Sequence, residues 1–134
     1  MAKIKNSINK VDKKCTNCFK SNHITFNFAY VTYDNDFIDR DKNVLIDRMR
    51  EVSAVPYIEM RMWNKYKGFE EVRLTIDKQI PNKFEEDIQK FDGKYSIMRL
   101  YKNNEPTPGR IIGKIVNKVF YIFYIDVKGT LYDH

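Results

Sequence analysis

The residues best suited to chemistry lie in the last third of the chain. Arg99 and Arg110 fall in apolar, alternating segments, Lys114 follows four residues after Arg110, and Tyr124, Tyr132 and His134 close the sequence. A ribonuclease that works without metal needs a base for the 2′-hydroxyl, a cation for the pentacoordinate phosphate and an acid for the leaving 5′-oxygen. Arg, Lys, Tyr and His supply all three. A spacing of two along a strand sets Arg110, Ile112, Lys114 and Val116 on one face, so that two cations reach one phosphate. The competing reading is that these cations decorate an exposed sheet face. His134 is the last residue, and its own α-carboxylate favours the protonated ring that an acid requires.

Other chemistries are excluded or poorly served. No glycine falls in a G-x-G-x-x-G or G-x4-G-K-[ST] loop, which argues against nucleotide hydrolysis. Ser7, Ser21, Ser53 and Ser96 lack a G-x-S-x-G elbow and evident His and Asp partners. Glu70-Glu71 and Glu85-Glu86-Asp87 read as solvated surface charge, leaving no convincing carboxylate cluster for a metal-dependent nuclease. Cys15, Cys18 and His23 form C-x2-C-x4-H, a spacing at which two thiolates converge on zinc. A four-ligand site would need His134 as well, and the alternative is a pair of reduced thiols. No disulfide is expected in a cytosolic chain. No cofactor is called for, with zinc the one candidate.

The net charge of +6 over 134 residues is unevenly distributed. Residues 1 to 22 carry net +5, residues 23 to 93 net −3, and residues 94 to 134 net +4. Basic character at both ends suits a polyanion such as a phosphate backbone, the alternative being a solubilising tail on an ordinary surface. Lys10, Lys13, Lys14 and Lys20 near one end, and Lys114 and Lys118 near the other, are the expected nucleic-acid contacts. No apolar run is long enough to span a membrane and no signal-peptide stretch follows Met1, so a cytoplasmic location is expected.

Residues 1 to 22 lack hydrophobic periodicity and read as a flexible basic arm. Residues 23 to 134 read as a single α+β domain. Ile24, Phe26, Phe28 and Tyr30 alternate as in a half-buried strand. Val44, Leu45, Arg48, Met49 and Val52 recur at helical spacing, predicting a helix over about 42 to 54, capped by an acid or Asn43. Pro56 opens a second helix that Gly68 ends, and residues 69 to 80 stay unassigned. Asn82 with Glu85 suggests a capped short helix with Phe84, Ile88 and Phe91 on one face. Residues 95 to 101, 110 to 116 and 119 to 126 then read as three strands, with a tight turn at Asn117-Lys118. The last is apolar on both faces, as a central strand should be. The expected fold is an antiparallel sheet of about four strands with helices packed on one face. The expected core is Phe26, Phe28, Leu45, Met49, Val52, Ile97, Ile112, Phe120, Ile122 and Phe123.

This order of strand, two helices and an Arg-bearing meander ending in Tyr132 or His134 resembles the RelE-like ribosome-dependent mRNA endonuclease toxins of bacterial toxin-antitoxin pairs. The chain differs by an insertion around residues 67 to 93 and by the arm. The resemblance implies that Arg99 and Arg110 contact the scissile phosphate, that Tyr132 or His134 transfers protons, and that the partners are RNA, the ribosome and a cognate antitoxin. The segments Gly109-Arg110-Ile111-Ile112-Gly113, Asn117 to Ile122, Asp126 and Leu131-Tyr132, with the Phe26 and Phe28 strand, also resemble a group of small bacterial and phage-borne proteins of no assigned activity. The alternative function is a non-enzymatic, phage-borne inhibitor or adaptor that grips a host protein or ribonucleoprotein through Tyr121, Tyr124 and Trp63.

Overall fold

A computed structural model describes residues 22–76 and 82–132. Alternation of apolar side chains and a tight left-handed turn build the centre of the fold. Asn117 and Lys118 both have positive φ, 50° and 65°, the backbone of a two-residue turn that matches strand twist. They join Arg110–Val116 (β5) to Val119–Asp126 (β6). Lys94–Arg99 (β4) pairs antiparallel with β5, and Phe69–Arg73 (β3), the segment the sequence left unassigned, pairs antiparallel with β4 as the edge.

The expected first strand is split and its direction is different. Thr25–Asn27 (β1) and Thr32–Tyr33 (β2) both run parallel to β6, so the six-stranded sheet is mixed, not antiparallel throughout. Between them Asn27 Oδ1 accepts the Ala29 N–H at 2.8 Å and Val31 N–H donates to the Phe28 carbonyl at 3.3 Å. That local capture withdraws the backbone from the ladder. Phe28 is therefore 44% exposed instead of lying in the core, while Tyr30 turns inward.

Helix Asp39–Ser53 (α1) starts three residues earlier than its periodicity suggested. The Asp41 carboxylate accepts the Ile38 N–H at 3.3 Å and so caps the first turn from inside the helix. Asp41, Leu45, Arg48 and Val52 form its buried stripe. Helix Tyr57–Met60 (α2) follows Pro56 but lasts one turn, because Met62 and Trp63 donate back only three residues and Asn64 then collects the Lys67 and Gly68 N–H groups. Helix Asn82–Asp87 (α3) begins at the residue expected to cap it and ends before Ile88 and Phe91, which the sequence places on its face.

The helices lie on both faces of the sheet, not on one. Leu45, Val52 and Met60 pack with Met98, Ile111, Phe120, Ile122 and Ile125 on one side. Phe84 of α3 packs with Tyr95, Ile97, Ile112, Phe123 and Tyr124 on the other. A register shift opposite Ile112/Gly113 lets Phe123 and Tyr124 face the same way. Of the other expected core residues, Phe26 and Met49 are partly buried. The architecture is α+β, and among the described residues no helix is long and apolar enough to cross a membrane.

Candidate functional site

Strand register assembles the site. Arg99 of β4, Arg110 of β5 and Asp126 of β6 are Cα partners in one row across the sheet. The next row inward is Glu70, Ile97, Ile112 and Tyr124. Side chains two apart on a strand share a face, so both rows point the same way. Asp126 is buried, and its Oδ1 and Oδ2 accept the N–H groups of Thr130 and Leu131 at 3.1 and 2.9 Å. With Gly129 at positive φ, this folds the chain back and sets Tyr132 in hydrogen-bond contact with Arg110. Burial pushes the Tyr132 hydroxyl up, and Arg110 pulls in the opposite direction without overcoming it.

The two arginines differ in commitment. Arg110 is 6% exposed, and its Nη1 donates to the carbonyls of Pro108 at 2.8 Å and Gly109 at 3.1 Å and to Asn104 Oδ1 at 2.9 Å. It staples the loop between β4 and β5. Arg99 is half-buried; its Nη1 donates to the Lys102 carbonyl at 2.9 Å, and its Cζ lies 4.4 Å from the centre of the Tyr66 ring. Lys65, Glu70, Ile97, Arg99 and Arg110 line a hollow of about 10 Å3. A space that small admits one water at most, so the site is a surface with a charged floor and not a ligand cavity.

Behind it, buried Arg48 of α1 donates from Nε to the Arg99 carbonyl at 3.0 Å and from Nη2 to the Lys67 carbonyl at 2.7 Å, and it is paired with Glu51. Glu51 also takes the Lys102 ammonium at 2.8 Å. Burial pushes its carboxyl up, but Lys102 and Arg48 together hold it below its ordinary value. The backbone on either side of the Arg99–Tyr66 contact is thus fixed from the interior.

The remaining candidates disperse. Lys114 does share a face with Arg110, yet it is 6% exposed, its Nζ bonded to Asp92 Oδ1 at 2.9 Å and to the Lys94 carbonyl at 2.8 Å. It fastens the loop before β4 and does not present a free cation to a phosphate beside Arg110. Lys118 sits in the hairpin turn at the other end of β5. His23 Nδ1 lies 2.9 Å from the Ser53 carbonyl, linking the start of β1 to the end of α1. Among the described residues no cluster of three or more His, Cys, Asp or Glu could hold a metal. Lys10, Lys13, Lys14, Cys15, Cys18, Lys20 and His134 lie outside the described residues. The aromatics expected to grip a partner are largely packed away: Tyr124 is buried, Tyr121 packs on Tyr30 and Phe84, and Trp63 is half-buried with Lys67 Nζ 4.1 Å from its ring centre.

Sequence reading gave no functional role to Lys65, Tyr66 and Arg48, and it read Glu70 as solvated surface charge. The signal for Glu70 was the alternation Glu70, Val72, Leu74 in the unassigned segment, whose apolar members face the α3 side. No protein-family model matches the chain, and no curated protein or solved structure matches it either.

Proposed function

We propose that this chain binds RNA at the β4–β5–β6 end of the sheet and cleaves it without metal, in the manner of the RelE-like toxins it resembles. The observation that carries the reading is the convergence of Arg99, Arg110, Tyr132 and Glu70 on one face. Arg99 stabilises charge building on the phosphate. Glu70, the carboxylate in the hollow, accepts the 2′-hydroxyl proton as that oxygen attacks the adjacent phosphorus. Tyr132, kept protonated by burial, donates to the leaving 5′-oxygen, and Arg110 holds Tyr132 and the loop in place. The products are a 2′,3′-cyclic phosphate and a free 5′-hydroxyl. In the cell the setting is the cytoplasm, with the ribosome presenting the message and an antitoxin covering the face.

The test is incubation of the purified chain with single-stranded RNA, with and without ribosomes, in excess EDTA. Cyclic-phosphate ends that disappear in Arg99→Ala and Glu70→Gln support the reading. Intact RNA in every condition, together with a stable complex between the chain and a host protein, replaces it with the inhibitor or adaptor reading.

A further inference from the structure

We infer that Tyr66 is a stacking platform for an unpaired nucleobase, which makes the ligand of this face single-stranded RNA; the inference rests on the RNA-binding reading above. Tyr66 is 51% exposed, although burial of such a ring is favourable. Its position is nevertheless fixed. Its N–H donates to Asn64 Oδ1 at 3.1 Å, and the Gly68 N–H closes the turn on the Asn64 carbonyl at 2.8 Å. One approach to the ring is taken by the Arg99 guanidinium at 4.4 Å, and Lys65 Nζ stands 5.9 Å from its centre.

An exposed aromatic with cations beside it, at the edge of a phosphate-binding surface, offers a base a π-face and its backbone a counter-charge. The surrounding sequence supports this. Residues 61 to 69 contain Arg61, Lys65 and Lys67 interleaved with Trp63, Tyr66 and Phe69 and no acid. Arg48 holds the carbonyls of Lys67 and Arg99 from within, so the ring and its cation are pre-set relative to each other before a ligand arrives. A base in a duplex has both faces covered by its neighbours, so only a splayed, unpaired base reaches the ring.

The test uses the full chain and a short fluorescent 2′-O-methyl oligoribonucleotide, which cannot be cleaved, as a single strand, as a duplex and as an abasic single strand. Anisotropy titrations compare the unaltered chain with Tyr66→Ala and Tyr66→Phe. The expected result is a preference for the single strand over the duplex, a loss of about tenfold in Tyr66→Ala, no loss for that variant on the abasic strand, and retention in Tyr66→Phe. Equal binding of all three RNAs, unchanged binding by Tyr66→Ala, or an equal loss on the abasic strand overturns the platform and leaves RNA binding standing. No binding of any RNA by the unaltered chain overturns both.

Discussion

Arg99 and Arg110 face each other across one rung of the sheet, yet their expected responses to substitution are opposite. Arg110 satisfies two backbone carbonyls and a side-chain amide from a nearly buried position. Arg110→Ala leaves those acceptors unmatched and should cost about 2 to 3 kcal/mol in urea denaturation, so that any lost cleavage is confounded with lost structure. Arg99→Ala removes a half-exposed group whose carbonyl, not its side chain, anchors Arg48. It should stay within about 1 kcal/mol of the parent while abolishing RNA cleavage. From sequence the two were equivalent, because the acceptors around Arg110 come from a loop whose path no local pattern specifies. A third test concerns acid. The hydrogen bond from Lys114, joined by the Lys94 N–H, holds the Asp92 carboxyl below its ordinary value. A depressed carboxylate stabilises the fold above its unfolded pKa, and that contribution disappears as pH falls through the lower folded pKa. Asp92→Asn should therefore lower stability at neutral pH and narrow the difference from the parent as acid is added, as read by thermal melts across pH.

At the scale of elements, what was readable was local. β5, β6 and the turn between them follow from short-range alternation and from two turn residues, and the Asn82–Glu85 pattern marked the start of α3 but not its end at Asp87. What was not readable is non-local. The pairing of Thr25 with Val119 joins distant parts of the chain, and alternation in one segment carries no information on whether its partner runs parallel. The placement of α3 opposite α1 likewise depends on β6 being apolar on both sides, which signalled a covered strand without naming its cover. The hairpin gives two substitutions of opposite sign. A Cβ at Gly113 would run into the Tyr121 carbonyl oxygen and the Phe120 ring beside the register shift. Gly113→Ala should cost about 3 kcal/mol or more, since backbone must move to admit it. Lys118 has φ 65°, a conformation that disfavours side chains with a Cβ, so Lys118→Gly should raise stability by about 1 kcal/mol in the same assay.

For the molecule as a whole, the start of β1 and the Arg99–Arg110–Asp126 row lie at opposite ends of the sheet. The Thr25 N–H donates to the Lys118 carbonyl at 3.0 Å, so β1 begins beside the β5–β6 turn, whereas the Arg99–Arg110–Asp126 row closes the far end. β6 has 8 residues, which separates the two by roughly 25 Å at about 3.3 Å per residue. Contacts that far apart share no partners and should contribute independently. Each phosphate neutralised on a single strand contributes a slope of about −0.7 to log K against log salt. In the full chain, replacing Lys10, Lys13, Lys14 and Lys20 with Gln should therefore flatten the slope by up to about 3 while leaving the cleavage rate at saturating RNA unchanged. Arg99→Ala should flatten it by only about 0.7 and abolish cleavage. The combination should show the sum of both changes in slope. An unaltered slope in the four-lysine variant would mean that those lysines do not touch the RNA, and that binding resides in the Arg99 face alone. A parallel loss of cleavage at saturation would mean instead that the basic segment reaches the distant end of the sheet and acts there.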